Sequence, residues 1–311
     1  VSTTVAYAKP TSTLTPLERA ERATFGVLVD GRLTGSGIII DASGLAITAA
    51  HQVVERRTTL EARSMHLGRR DLRVIALDQG RDLALVRLPT QPELYPSVPI
   101  NFNPPQLDTR LSLVGSPIYR HNLVLSGRVA KAYTGYEFFS SRGHYVEVLY
   151  VSGPSPEGTS GGGWMNTAGE LVGVQIGLMH TGDSGARAPV GIAYISPLFK
   201  SRKFINSKQS IYRPTLKIGF EEFWEQDDAY RAQFPRQRGG LVVAKLMPNS
   251  PAAQAGLKVG DLVIAADEIP VVYRDTLLAR IRSKRLDGNI KLLVLSKSGH
   301  KRTLKIQLIK L

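Results

Sequence analysis

The chain of 311 residues has no cysteine. That excludes a disulfide framework, a thiol nucleophile and a thiolate metal site. It suits the cytosol or a bacterial envelope and speaks against a disulfide-stapled secreted fold. Long hydrophobic runs are missing too, so no membrane-spanning helix is expected. No signal-peptide pattern stands at the start, and residue 1 is Val, as expected of a processed or trimmed chain. The six histidines show no ligand spacing, so no metal is expected. Acidic residues are outnumbered, 26 against 40 basic ones, for a net charge of +14. The excess is uneven: residues 201–311 carry 21 Lys and Arg against 10 Asp and Glu. That suits either a solvated basic surface or contact with an anionic surface such as a membrane, a wall polymer or an acidic protein. No zinc finger, RNP aromatic motif or helix-turn-helix signal is present, so specific nucleic-acid recognition is not expected.

What is present is ordinary globular composition, 42% apolar and 21% charged, in a chain long enough for two domains. Residues 1–24 read as a loose Thr-rich segment ending in a short helix. Thr15 suits the N-cap, Pro16 the first helical position and Glu18 a capping box, so a helix over about 16–23 is predicted. Residues 25–198 alternate short β-rich runs with Gly, Pro, Asp and Asn breaks, which predicts a β-barrel or sandwich. A basic, polar stretch, 199–214, reads as a linker with room for one helical turn. Residues 215–311 form a smaller α/β unit. One helix is predicted from Ser250-Pro251 to Gly256, another from an Asp275 N-cap to about Arg285, and a terminal hairpin over Lys291–Leu295 and Thr303–Leu308.

Three segments carry chemistry: Thr48-Ala49-Ala50-His51, Arg81-Asp82-Leu83-Ala84 and Gly158-Thr159-Ser160-Gly161-Gly162-Gly163. A serine hydroxyl is a poor nucleophile at neutral pH and needs an adjacent base. A neutral imidazole can take its proton, and a carboxylate can hold that imidazole in the right tautomer. Glycines beside the serine allow backbone N–H groups to converge on a developing oxyanion. Singly each segment is weak: a lone His is usually structural, Asp82 can cap a strand, and the glycine run can be a turn. A phosphate loop is excluded, because no Lys follows at that spacing. Together, in the order His, Asp, Ser within a β-rich chain, they point to a nucleophilic triad.

These residues resemble the chymotrypsin-fold serine peptidases, and most closely the Deg/HtrA family. Gly35-Ser36-Gly37-Ile38 ahead of the histidine, Gly169-Glu170-Leu171-Val172-Gly173-Val174 after the serine, and Gly191-Ile192-Ala193-Tyr194-Ile195-Ser196-Pro197 extend the likeness. The resemblance implies a mainly β double-barrel protease domain followed by a PDZ domain. It implies His51 as general base, Asp82 as its orienter, Ser160 as nucleophile, and the N–H groups of Gly158 and Ser160 as oxyanion hole. Thr159 stands where the family has Asn, Gly163 where it has Pro or Ala, and Pro154 and Pro156 break the usual run before the serine. The short Val29–Thr34 loop implies no long regulatory loop and argues against a large cage, while the resemblance implies a trimer, which the family's N-terminal segment often carries. Pro154 falls at the pocket base, with Gln175, Ile176 and Leu178 as walls. No carboxylate stands there, so cleavage after a small or medium aliphatic residue is expected.

In the second unit, Lys217-Ile218-Gly219-Phe220 resembles a PDZ carboxylate-binding loop, and Ser250–Asp261 the following PDZ helix region. Leu278 and Ile281 are expected to line a groove in which a peptide C-terminus adds as a strand. The aromatic stretch Ala132–His144, with Tyr133, Tyr136, Phe138 and Phe139, stands where the resemblance implies a loop that passes peptide binding on to the active site; it reads either as a mobile aromatic surface or as a loop packed on the barrel or a neighbouring subunit. The chain as a whole reads as a cofactor-free serine endopeptidase for unfolded or damaged proteins, expected in a bacterial cell envelope or periplasm. The alternative is a chaperone-like or adaptor scaffold with a silent protease site.

Overall fold

A computed structural model describes residues 14–54, 59–181, 188–234, 236–237 and 239–311. The loose segment expected over the first residues lies outside this set. Two compact units emerge, one of residues up to 134 with 148–211, the other of 135–147 with 212–311. Among the described residues no helix is long and apolar enough to cross a membrane.

Helix α1 (Pro16–Ala23) forms where its signals stand. Thr15 accepts from the Glu18 N–H at 3.2 Å, and the Glu18 carboxylate accepts from the Thr15 N–H at 2.7 Å. A first curled antiparallel sheet follows: β1 (Thr24–Val29), β2 (Arg32–Asp41), β3 (Leu45–Ala49), β4 (Leu60–Ser64), β5 (Gly68–Asp71), β6 (Arg73–Asp78) and β7 (Leu83–Arg87), in spatial order β5-β4-β1-β2-β3-β7-β6. Asp30 and Gly31, both at positive φ, make the tight β1–β2 turn, as the two-residue hairpin requires. Strands β1, β3 and β7 are buried almost throughout, so they read as apolar runs rather than alternating ones.

The second sheet holds β8 (Arg110–Gly115), β9 (Leu123–Val129), β10 (Gly135–Phe139), β11 (His144–Ser152), β12 (Gly163–Met165), β13 (Leu171–His180) and β14 (Pro189–Pro197). Its order is β10-β11-β14-β13-β12-β8-β9, and β9 also pairs with β11, Val151 opposite Val129, which closes the sheet on itself. Trp164, Leu111, Leu149 and Ile195 fill this barrel. The first barrel's core reaches across to Val114, Met165, Leu171 and Val174, so both barrels share one hydrophobic contact.

Two expectations change here. The stretch read as a linker contains α2 (Arg202–Ser207), whose Phe204 is fully buried in the first unit's core, while Ile211 donates to the Leu77 carbonyl at 2.9 Å. The apolar pair Phe204-Ile205 inside a basic run carried that information. The stretch read as an aromatic loop is the hairpin β10–β11, and its residues 135–147 belong to the second unit.

That unit is built on β15 (Pro214–Thr215), β16 (Ile218–Glu222), β17 (Leu241–Leu246), β18 (Leu262–Ala266), β19 (Ile269–Pro270), β20 (Asn289–Leu295), β21 (Lys301–Gln307) and β22 (Ile309–Lys310). The sheet runs β16-β17-β18-β20-β21, with β16 at an edge. Its helices are α3 (Asp228–Ala232), α4 (Pro251–Gln254) and α5 (Arg274–Ser283). Ser250 caps α4 through the Ala253 N–H, as its sequence predicts. Asp275 does not cap α5: Tyr273 is the N-cap residue, and the Asp275 carboxylate instead accepts from the Tyr136 N–H at 3.2 Å.

Candidate active site

His51 sits in a short 3-10 turn, Ala50–Gln52, directly after β3. Asp82 ends the turn that leads into β7, with φ +55. That left-handed backbone is uncommon outside glycine, though Asp tolerates it better than most residues. Here it is held by three hydrogen bonds: Asp82 N–H to the Gln79 carbonyl, Ala50 N–H to the Asp82 carbonyl at 2.9 Å, and His51 N–H to Asp82 Oδ1 at 2.8 Å. The second carboxylate oxygen lies 2.7 Å from His51 Nδ1. An ionised carboxylate only accepts, so Nδ1 carries the proton and Nε2 keeps its lone pair. The Asp82 side chain is 3% exposed and that of His51 30%, so the carboxylate is sheltered while the imidazole still reaches solvent.

Ser160 lies on the loop between β11 and β12 and is half-buried. Its carbonyl accepts from the Ser36 N–H at 2.7 Å and from Gln52 Nε2 at 3.2 Å. Gln52 is His51's neighbour, so the two barrels are tied together within one residue of the imidazole. Sequence reasoning singled out neither Ser36 nor Gln52 for such a role. Fully buried Ser36 also accepts from the Ser116 N–H and donates to the Gly158 carbonyl, both at 2.9 Å. A serine between two glycines in an otherwise apolar strand was the available signal.

The backbone of the loop is fixed one peptide at a time. The Glu157 carbonyl accepts from the Ile118 N–H at 2.7 Å, and the Thr159 carbonyl from the Gly162 N–H at 2.8 Å. In a trans peptide the N–H points opposite its carbonyl. The N–H groups of Gly158 and Ser160 therefore face away from these anchors, and neither has a partner among the described residues. Two glycines make this possible. Gly158 has φ +87, and a Cβ there would stand 2.4 Å from the Ser116 carbonyl oxygen. Gly161 has φ +86, and its Cβ would stand 1.9 Å from the Ser36 carbonyl oxygen. Thr159, in the family's Asn position, turns its hydroxyl to the Pro156 carbonyl at 2.6 Å and is buried.

The pocket residues fall out differently. Pro154 is exposed, while its neighbour Ser155 is buried and meets Gln175 Nε2. The loop leaves β11 in an irregular bend pinned by Gly153 N–H to the Gly191 carbonyl. Gln175 is 1% exposed and its amide is used internally: Oε1 accepts from Trp164 Nε1 at 2.8 Å and Nε2 donates to the Gly177 carbonyl at 2.6 Å. It braces the wall rather than facing a ligand. Ile176 is buried and Leu178 half-buried. In the second unit, Ile218, Phe220, Leu278 and Ile281 join one apolar cluster, with Gly219 buried between the first two and Lys217 half-buried at φ +53.

Residues 35–174 match the trypsin-like peptidase domain family, and residues 230–308 match the PDZ domain. The curated relatives that the chain matches include HTRA1 and DegS serine proteases. The chain is 27% identical to serine protease HTRA1 of Xenopus tropicalis over 75% of its own length and 51% of that protein. It is likewise 27% identical to serine endoprotease DegS of Escherichia coli, over 78% of this chain and 67% of that one. The chain spans about half the length of the HTRA1 proteins it matches. Among solved structures, the HtrA-type protease AlgW with a decapeptide superposes with a TM-score of 0.64 at 17% identity, over 95% of this chain and 98% of that one. A serine endoprotease from Yersinia pestis gives 0.60 at 22% identity, over 95% and 97%. These two likenesses concern the fold.

Proposed function

We propose that this chain is an HtrA-type serine endopeptidase acting on unfolded or damaged proteins. The observation that carries the reading is the 2.7 Å contact of His51 Nδ1 with Asp82, which leaves Nε2 basic, together with a serine loop whose two N–H groups have no partner among the described residues. Ser160 Oγ attacks the scissile carbonyl as His51 Nε2 takes its proton. Asp82 stabilises the imidazolium that forms. The N–H groups of Gly158 and Ser160 meet the oxyanion, each worth about 3–4 kcal/mol when lost. His51 then protonates the leaving amine, and water repeats the sequence on the acyl-enzyme. No step needs a cofactor.

A small or medium aliphatic residue before the cleaved bond suits apolar Ile176 and Leu178 and a loop that presents no carboxylate. The Lys217–Phe220 segment and α5 are proposed to take peptide C-termini by strand addition to the edge strand β16. The functional modules on this reading are residues 25–198 and 215–311, in a trimer of the cell envelope. Sedimentation at monomer mass would remove the trimer.

The test of the enzyme is labelling of the full chain with a fluorophosphonate, beside Ser160→Ala. Labelling of the parent alone is expected. No labelling, with or without a C-terminal peptide, would overturn the reading in favour of a scaffold.

A further inference from the structure

The edge strand of the second unit is not open at its peptide-binding end. Phe220 lies opposite Val243, whose N–H goes to the Asp261 carbonyl and whose carbonyl accepts from Gly260. Phe220 therefore presents both its polar groups away from β17, at the free edge. Both are taken by one side chain. The Tyr145 hydroxyl accepts from the Phe220 N–H at 2.7 Å and donates to the Phe220 carbonyl at 3.1 Å.

That pairing has the pattern of an added strand's last residue, whose terminal oxygen accepts and whose N–H donates on this edge. The phenol does both jobs with one oxygen. Burial pushes the Tyr145 phenol up, so it keeps the proton it donates. The rest of the hairpin is seated as firmly. The Tyr145 ring is 3% exposed and packs in the cluster that holds Ile218, Leu278 and Ile281. Phe138 stacks edge-on against it, centroids 5.1 Å apart, and covers Gly219, where a Cβ would stand 3.3 Å from the Phe138 ring. From α5, Arg282 donates to the carbonyls of Tyr145 at 2.6 Å and Pro214 at 3.0 Å.

We infer that the hairpin of residues 135–147 is a built-in occupant of the peptide edge, and that an incoming peptide C-terminus gains Phe220 only by displacing the Tyr145 phenol. The inference rests on the peptide-binding reading above. An internal competitor lowers apparent affinity by the fraction of molecules with the edge open. Tyr145→Phe keeps the ring and removes both hydrogen bonds.

The experiment compares Ser160→Ala with Ser160→Ala/Tyr145→Phe, both full-length. The probe is a fluorescein-labelled peptide, Gly-Ser-Gly-Ser-Gly-Ala-Val-Ala-Phe, with a free carboxylate, and its amide as control. Polarisation is expected to give about tenfold tighter binding to the Tyr145→Phe form, from the loss of two net hydrogen bonds. Amide exchange at Phe220 is expected to be slow in the parent and faster in the variant. Equal affinity, or equal Phe220 exchange, overturns the inference and leaves the peptide reading standing. Weaker binding overturns it as well, since Tyr145 would then be part of the ligand's own site. No binding to either form removes the peptide reading, and the inference with it.

Discussion

At the residue scale the proposed chemistry depends on direction as much as on identity. Asp82 uses both carboxylate oxygens, one on the His51 ring and one on its N–H. Asp82→Asn can hold the backbone but presents an amide donor to Nδ1, favouring the wrong tautomer. The fluorophosphonate labelling rate is expected to fall about 10³- to 10⁴-fold with the melting temperature little changed. Gly161→Ala forces a methyl group onto the Ser36 carbonyl at a positive φ, so unfolding should be easier by about 2 kcal/mol or more, measured in urea. Ile118 is a β-branched residue at φ +47, a strain of about 1–3 kcal/mol held beside the site. Its N–H donates to the Glu157 carbonyl. Ile118→Gly should therefore raise the melting temperature and leave the labelling rate intact; a lost labelling rate would mean that the side chain itself matters.

At the scale of elements, stability comes from caps and buried ends. The Thr15 cap of α1 is worth about 1 kcal/mol, so Thr15→Ala should lower the urea midpoint correspondingly. Helix α3 carries Tyr230, whose hydroxyl donates to the Gly260 carbonyl at 2.9 Å. Burial pushes this phenol from 10.0 up to about 12, with the Asp261 charge adding to it. The native state then holds a proton that the unfolded chain releases first. Stability from this group is intact below pH 10.0 and is lost as pH rises through about 12. Urea midpoints between these limits should fall more steeply for the parent than for Tyr230→Phe.

For the whole molecule, charge is the long-range term. Most of the +14 belongs to residues 201–311. Such a field speeds encounter with anionic partners and is screened within about 8–10 Å at physiological salt. Cleavage of an acidic unfolded substrate is expected to slow between 50 and 200 mM salt, on the order of several-fold, while a neutral substrate changes little. Equal salt dependence would leave the basic surface without a part in capture.

The sequence by itself determined the parts that short stretches encode: the capped helix at Pro16, the tight turn after Val29, Ser250 ahead of α4, the terminal hairpin, and the order His51, Asp82, Ser160. The cap, the turn and the helix start are set by neighbours a few residues away, through φ restrictions, caps and glycine freedom, and the hairpin and the triad order are read directly along the chain. Tertiary structure alone decided what depends on distant partners. Ser155 rather than Pro154 turns inward because Gln175 and Gly191 hold that loop. Ser36 and Gln52 position the Ser160 loop because two barrels meet there. Phe204 enters the first core, and residues 135–147 join the second unit through Tyr145 and Phe220, 75 positions apart in the chain. No local pattern records a hydrogen bond across that span, since its energy exists only once both segments are folded.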